Sequence, residues 1–347
     1  MKKFLPIALF SAVLATTVLI APQASAVIKT KVGVAYDIGG PGDKAFNDLA
    51  AAGLLRAKKN YGFNSKEVSA TLGTESERET RLQYLVSQGF NPVIAVGYRY
   101  ATAVKKIASE NPNIAFGIVD DATVDLLNVA SLVFATNESA YLAGVSAALA
   151  TVTSKIGYIG AATVPPYDAS EAGFIAGVKA TNSKASVTVK YLTKLPDFNG
   201  YNDPTESKAI AKAMIANKVD VIFSAADGSG AGTFAAASGK AVWTIGSDSD
   251  QFSMATDSQK KNMLTSTIKR VDVAVYDFIR TCVQGSSVND VLDAQAGIYG
   301  RLYTLALGGV ELSTSGGNIT KYKSQISAVK NAIISGKVTV PVDGSTK

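Results

Sequence analysis

Residues 36–48 read Tyr-Asp-Ile-Gly-Gly-Pro-Gly-Asp-Lys-Ala-Phe-Asn-Asp, and the rest of the chain can be arranged around this stretch. An apolar run over 30–36 leads into it, and a segment with apolar residues at helical spacing leaves from it. The pattern therefore predicts a strand, a glycine-rich turn and a helix. In an open α/β sheet, ligands bind beyond the carboxyl ends of the strands, where this turn would lie.

The side chains of this turn suit a small organic ligand. Asp37 and Asp43 can accept hydrogen bonds from hydroxyl groups, and the Asn47 amide can donate and accept at once, as the edge of a base requires. The ring of Phe46 can stack on a flat heterocycle. A structural corner in which Asp43 caps the helix explains the same residues equally well, and the turn alone leaves both interpretations open.

Beyond the turn, short strands rich in Val and Ile alternate with longer amphipathic helices. This alternation predicts an α/β protein with mostly parallel sheets flanked by helices. The first series has predicted strands at 30–36, 68–72, 92–97, 114–119 and 129–134. The second has predicted strands at 156–160, 187–192, 219–224 and 241–246.

The two series predict two similar lobes with a ligand cleft between them, a common place for small-molecule sites. We assign residues 27–135 and about 247–290 to the N-terminal lobe. Residues 136–246 and about 291–347 are assigned to the C-terminal lobe.

Composition limits the chemistry that this chain can perform. Its 347 residues are enough for two domains, yet they include no histidine and one cysteine, Cys282. Catalytic systems that depend on His, and zinc sites of His or Cys, are therefore excluded. The formal net charge of +6 is mild and spread along the sequence, which argues against a nucleic-acid-binding surface.

The first 26 residues have the pattern of a secretory signal peptide. Lys2 and Lys3 precede an apolar run over 4–21, and Ala24-Ser25-Ala26 is a small-residue cleavage site. No cysteine follows the apolar run, so the visible sequence offers no site for a lipid anchor, and nothing later is long and apolar enough to span a bilayer. We expect an exported protein at the cell surface, in the cell wall or in the periplasm.

Further polar residues follow other predicted strands. Asp120 comes after 114–119, Gly246 and Asp248 close the strand 241–246, and Lys269 comes after 264–268. Each would face the cleft in this architecture, since the carboxyl ends of parallel strands meet at one edge. A solvated turn is the structural alternative for Asp120, and a solvated side chain is the alternative for Lys269.

A glycine-rich turn, 227–234, follows the predicted strand 219–224. Its G-x-G-x-G spacing departs from the dinucleotide fingerprint G-x-G-x-x-G, so NAD binding is disfavoured. Gly228 and Gly230 would instead let the backbone approach a ligand closely, or would form an ordinary tight turn. Phe234 would either stack on the ligand or pack in the helix core.

Together these stretches resemble the basic membrane protein (BMP/PnrA-like) family of substrate-binding proteins of ABC transporters. The matching segments run in order through the mature chain: 36–47, 116–120, 138–148, 227–232, 245–251 and 265–269. The resemblance implies a two-lobed type I periplasmic-binding-protein fold and recognition of purine nucleosides such as guanosine, adenosine or inosine. Most members carry a lipid-bearing cysteine, which this chain lacks.

The resemblance also implies roles for individual residues. Phe46 would stack on the base, Asn47 and Asp120 would lie at its edge, and Asp248 and Lys269 would bind the ribose hydroxyls. Asp37 and Asp43 would lie at the cleft, and the turn 228–232 would close over the ligand. The second stacking aromatic has no clear match in the sequence, and the candidates are Phe234, Phe198 and Tyr167.

The sequence therefore predicts a non-enzymatic, exported binding protein that captures purine nucleosides and delivers them to ABC permease subunits, without a cofactor or a metal. A nucleoside-sensing partner of a membrane receptor is an alternative, because the lipid anchor is missing. A nucleoside-processing enzyme that uses the clustered aspartates, with or without Ca²⁺, is a second alternative.

Overall fold

The computed structural model describes residues 30–43, 45–285 and 299–343, so the predicted signal peptide lies outside the described residues. The strands are β1 Lys31–Tyr36, β2 Asn64–Ser69, β3 Val93–Val96, β4 Phe116–Val119, β5 Val129–Phe134, β6 Lys155–Ala162, β7 Ser186–Thr193, β8 Val221–Ala225, β9 Trp243–Gly246, β10 Met263–Lys269, β11 Gly300–Tyr303 and β12 Val310–Leu312. The helices are α1 Phe46–Tyr61, α2 Glu75–Ser87, α3 Ala101–Glu110, α4 Thr136–Ala150, α5 Pro165–Thr181, α6 Pro204–Ala216, α7 Gly230–Ala237, α8 Asp257–Lys260, α9 Val271–Val283 and α10 Lys323–Ile334.

These strands form two sheets, which confirms the predicted α/β architecture. The first has the order β11-β5-β4-β3-β1-β2, and all of its neighbours pair in parallel. The second has the order β12-β10-β9-β8-β6-β7, and only β12 pairs antiparallel within the described chain. Because the inner strands are buried on both faces, they read as continuous apolar runs such as Val93–Val96.

Each sheet defines a lobe, and the chain crosses between the lobes at positions different from those predicted from the sequence. The described chain crosses between the sheets after β5, after β10 and after β11. Assigning all of about 247–290 to the first lobe is therefore wrong: β10 extends the second sheet, and α9, which follows it, packs on α1 of the first lobe. Similarly, β11 lies within the predicted second lobe but pairs with β5 of the first sheet. Sheet membership depends on pairing with distant strands, which local apolar patterns do not encode.

The edge strand β2 also differs from its prediction. The sequence predicted a strand at 68–72, whereas β2 covers the polar segment Asn64–Ser69. An edge strand pairs on one side only, and β2 is largely exposed, so its apolar signal is weak.

Helix α4 joins the lobes and is buried along most of its length. Its neighbour α5 approaches so closely that a Cβ at Gly144 would collide with the Phe174 carbonyl, and one at Gly177 with the Tyr141 carbonyl. The small residues of α4 allow this close packing. None of the helices in the described ranges combines the length and the apolar character needed to cross a membrane.

Candidate functional site

A cleft of about 800 Å³ lies where the carboxyl ends of the strands of both lobes converge. The structure brings eight of the predicted site residues to its wall: Asp37, Asp43, Phe46, Asn47, Asp120, Gly228, Asp248 and Lys269. They come from strand ends far apart in the sequence, as expected for an open α/β sheet.

Three other predicted residues do not line this cleft. Gly230 begins α7 and Phe234 is buried within it, while Gly246 ends β9 beneath the loop that carries Asp248. A Cβ at Gly246 would collide with the Gln251 side chain. Their glycine and aromatic character serves close packing behind the wall of the cleft, a role that sequence alone could not separate from ligand contact.

Asp37 lies at the end of β1, where two arginines neutralise it. Arg78 from α2 donates from Nε and Nη2 to the Asp37 carboxylate at 2.9–3.2 Å. The Arg99 Nε lies 3.7 Å from Asp37 Oδ2. The side chain of Arg78 is only 4% exposed, so this ion pair is part of the lobe itself. The role of Arg78 was not predictable from the sequence, because nothing marks an arginine within a helix as the partner of a distant strand end.

Asp43 fulfils the structural alternative foreseen for it. Its carboxylate accepts hydrogen bonds from the backbone N–H groups of Ala45, Asn47 and Asp48 at 2.8, 2.9 and 3.1 Å. These donors belong to the first turn of α1, where backbone N–H groups have no carbonyl acceptors within the helix. Asp43 thus fixes the start of α1 and thereby the two residues that begin it.

Those two residues, Phe46 and Asn47, line the cleft. Phe46 is half-buried, and the ammonium of Lys269 lies 5.5 Å from the centre of its ring. Asn47 is 7% exposed, and its amide has no hydrogen-bond partner among the described residues. A ring and an unpaired amide side by side offer stacking and base-edge recognition in one place.

A second part of the wall is built from three aspartates in the left-handed backbone region, one from the first lobe and two from the second. Asp120, Asp227 and Asp248 follow β4, β8 and β9 with φ of 66°, 44° and 65°. They are three of the five non-glycine residues in the described chain with positive φ. Such a conformation costs on the order of 1 kcal/mol or more and gathers at functional sites, because the turn must aim the side chain.

Lys269, the last residue of β10, connects these carboxylates. Its Nζ donates to Asp120 Oδ2 at 2.8 Å and lies 3.4 Å from Asp248 Oδ1. Burial lowers the pKa of the ammonium, but Asp120, Asp248 and Asp227 outweigh it and raise the pKa above its ordinary value. Lys269 therefore stays charged, and its bond to Asp120 links the second lobe to the first.

Asp227 is a cleft residue that the sequence analysis quoted in its turn but did not select. The Tyr167 hydroxyl donates to Asp227 Oδ2. Desolvation in the cleft, followed by the charge of Asp248, raises the pKa of Asp227 to about 7. Its place two residues after the end of β8, comparable to those of Asp120 and Asp248 near the ends of their strands, was the signal that could have identified it.

Aromatic side chains from both lobes close the rim of the cleft. Tyr98, after β3, donates through its hydroxyl to that of Tyr201, after β7, at 3.3 Å. The Tyr98 and Phe198 rings lie 6.5 Å apart, and the Arg99 guanidinium lies 5.3 Å from the Phe198 ring centre. The structure thus describes the lobes in contact across the cleft. Of the three aromatics proposed from sequence, Phe198 and Tyr167 line the cleft, as does Tyr201, which was not foreseen.

The arrangement suits binding of a neutral, hydroxyl-bearing ring compound. The carboxylates and Lys269 can accept from and donate to hydroxyl groups, and Phe46 and Tyr201 offer faces for a flat ring. In the described ranges, no three His, Cys, Asp or Glu side chains are arranged to hold a metal ion.

Comparison with known proteins identifies the family of this chain. The family of the PnrA-like ABC transporter substrate-binding proteins matches residues 29–343. A CD4+ T-cell-stimulating antigen of Listeria monocytogenes is 34% identical, covering 89% of this chain and 87% of the relative. The ABC transporter nucleoside-binding protein BmpA of Lactococcus lactis is 32% identical, covering 90% and 89%.

Solved structures show the same fold. An ABC transporter solute-binding protein from Aeropyrum pernix superposes with a TM-score of 0.72 at 24% identity, covering 91% of this chain and 95% of that one. The two-lobed architecture and the family match over nearly all of the described residues lead to one conclusion. This chain belongs to the family of PnrA-like substrate-binding proteins of ABC transporters.

Proposed function

We propose that this protein binds purine nucleosides in the cleft between its lobes and delivers them, after export, to the permease of an ABC transporter. The observation that carries the proposal is the pairing of Phe46 with the unpartnered Asn47 amide on one wall of the cleft. A purine needs both a face to stack on and an edge partner that donates and accepts. The name of the Lactococcus lactis relative, a nucleoside-binding protein, points to the same ligand class.

In this proposal the base stacks on Phe46, and Tyr201 supplies the second aromatic surface. Asn47 reads the edge of the base. The ribose hydroxyls donate to Asp248 and Asp120 and accept from Lys269. Asp37 and Asp43 act on the ligand only through the groups that they hold, since protein donors already occupy their carboxylates. Closure of the two lobes then excludes water from these contacts.

Calorimetry on protein that has been unfolded and refolded to strip bound ligand tests the ligand class. Guanosine, adenosine, inosine, cytidine and ribose are titrated separately into the folded protein. We expect tight binding of at least one purine nucleoside and weak binding of cytidine and ribose, since stacking area is smaller or missing in the latter two. Equal binding of ribose and purine nucleosides would show a sugar-binding protein instead.

The same samples separate binding from catalysis. The relatives that match are substrate-binding proteins, and we propose that this chain likewise releases its ligand unchanged. Inosine is incubated with the protein, with and without Ca²⁺, and free hypoxanthine is measured. Its formation at a rate above the protein-free control would overturn the non-enzymatic assignment.

A further inference from the structure

The cleft contains more carboxylates than its lysine can neutralise. Asp120 receives the hydrogen bond from Lys269 at 2.8 Å, while Asp248 lies at 3.4 Å. Asp227 and Asp248 line the same cleft, and the charge of Asp248 acts on the Asp227 carboxyl. Two neighbouring carboxylates repel each other unless a proton lies between them, and one of the two then titrates at a raised pH.

The other groups that face Asp227 do not relieve this repulsion. Tyr167 of α5 donates a hydrogen bond to Asp227, and Tyr201 and Tyr98 approach from the turns after β7 and β3. Burial, the largest cause in each case, raises the pKa of all three phenols, so they remain neutral. Lys269 is the cation that acts on Asp227, and it already serves Asp120 and Asp248.

We propose that Asp227 and Asp248 share one proton in the cleft, and that capture of a neutral ligand takes up this proton at alkaline pH. The proposal rests on the nucleoside-binding function above and adds a proton as a second species bound at the same site. It assigns a part in ligand binding to Asp227, which holds the proton in contact with Tyr167 and Asp248. The raised pKa of Asp227, about 7, supports it.

The direction in which ligand affinity changes with pH follows from the net charge of the cleft. With the shared proton, Asp120, Asp227, Asp248 and Lys269 carry a net charge of −1, and without it −2. Closure over a neutral ligand removes water and makes the second negative charge more costly, so the pKa of Asp227 rises further in the complex. Affinity is therefore constant below about pH 7 and falls at higher pH, by up to about tenfold per pH unit.

Adenosine is a suitable probe because its base does not titrate near neutral pH. Its binding is measured by calorimetry at about pH 6 and about pH 8, each in two buffers of different ionisation enthalpy, which counts the protons taken up. For the wild type we expect weaker binding and proton uptake at about pH 8, and no uptake at about pH 6. Equal affinities at the two pH values, or proton release, would overturn the proposal.

Asp227→Asn is the decisive variant, since the amide keeps the acceptor for Tyr167 and a donor towards Asp248 but cannot ionise. We expect this variant to lose both the pH dependence of adenosine affinity and the proton uptake. The variants are compared by this pH dependence and not by their absolute affinities. Asp125→Asn, an exposed carboxylate in the loop after β4, is the matched control and should keep the slope. An Asp227→Asn variant that still shows the wild-type slope would contradict the assignment.

A ligand-free measurement keeps the test independent of the nucleoside. A pKa raised from about 4 in the unfolded chain to about 7 in the folded one means that the stability contribution of Asp227 falls as pH rises between these values. Denaturant unfolding of the wild type relative to Asp227→Asn should show this loss, and a constant difference would reject the shared proton. If adenosine does not bind at all, the proposed nucleoside-binding function is wrong. The pH dependence of stability then still tests whether Asp227 and Asp248 share a proton.

Tyr167→Phe provides a second variant in case Asp227→Asn does not fold. The Tyr167 hydroxyl favours the ionised form of Asp227, so its removal should move the midpoint of the adenosine pH profile upward. A midpoint that stays in place would show that Asp227 is not the titrating group.

Discussion

The two walls of the cleft use their carboxylates in opposite ways. In the turn after β1, Asp37 is held by Arg78, and Asp43 is held by the first backbone N–H groups of α1. On the wall of the second lobe, Asp227 and Asp248 share a single lysine, Lys269, with Asp120 of the first lobe. The acids of the turn are internally satisfied, whereas the acids of the other wall leave acceptor capacity for a ligand.

This difference indicates a division of labour. The turn is a scaffold whose acids fix the backbone so that Phe46 and Asn47 face the cleft. The other wall is an electrostatic site, since Asp227, Asp248 and the adjoining Asp120 adopt left-handed backbone conformations that packing alone would not favour. Substitutions in the turn should therefore act mainly on stability, and substitutions on the other wall should act mainly on binding.

Lys269→Met sharpens this comparison with the largest expected effect. It leaves three neighbouring carboxylates without their cation, and loss of one member of a buried ion pair costs about 3–5 kcal/mol. We expect ligand binding to fall below detection at neutral pH and the free energy of unfolding to drop. Denaturant unfolding and calorimetry measure the two effects.

Lys106→Met is the matched control for that change. Lys106 pairs with Glu79 on the surface, with 53% of its side chain exposed, and such pairs contribute about 0–1 kcal/mol. A Lys269→Met variant that is as stable as this control would show that Lys269 does not stabilise the three carboxylates Asp120, Asp227 and Asp248.

Asp37→Asn and Asp248→Asn compare the walls directly. Asp37→Asn removes the anion nearest to the buried guanidinium of Arg78 and leaves Glu75 at 3.9 Å, which should lower the free energy of unfolding by about 3 kcal/mol and change affinity little in the folded protein. Asp248→Asn leaves Lys269 paired with Asp120 and should change stability by less than about 1 kcal/mol, while affinity falls by about 1.5–3 kcal/mol. If the two variants show the reverse pattern, the division of labour is wrong.

Phe46→Ala tests whether the aromatic ring that the turn holds at the cleft stacks on the ligand. Removing the ring should lower nucleoside affinity by roughly 1–3 kcal/mol, the value of one base–aromatic stack, in a calorimetric titration. Tyr84→Ala removes an exposed aromatic from α2 of the same lobe and should leave affinity unchanged. Unchanged affinity in Phe46→Ala would remove Phe46 from the site.

Sequence reasoning identified this cleft where the signal was local. A strand, its turn and the next helix are contiguous, so Phe46 and Asn47 could be located from spacing alone. Aspartates placed directly after apolar strands were also readable, and Asp120 and Asp248 were found this way. Arg78 could not be found, because its meeting with Asp37 depends on how α2 packs beside β1. Gly246 was wrongly placed at the cleft, and Phe234 could not be assigned to cleft or core, because close packing and ligand contact favour the same residue types.

The smallest effect is expected at the rim, where Tyr98 and Tyr201 join the two walls. Tyr98→Phe removes one neutral hydrogen bond between the lobes, worth about 0.5–1.5 kcal/mol, and that bond exists only when the lobes are in contact. The loss should therefore appear as faster ligand release in stopped-flow measurements, with little change in the free energy of unfolding. Tyr84→Phe, which removes an exposed hydroxyl from α2, is the control.

Tyr201→Phe should have the same effect as Tyr98→Phe, because each variant removes one end of the same bond. The double variant should then release ligand no faster than either single one, since the bond can be lost only once. Additive effects would mean that each hydroxyl contacts the ligand separately. The rim would then belong to the binding surface, and the lobes would be held together by Lys269 and Asp120.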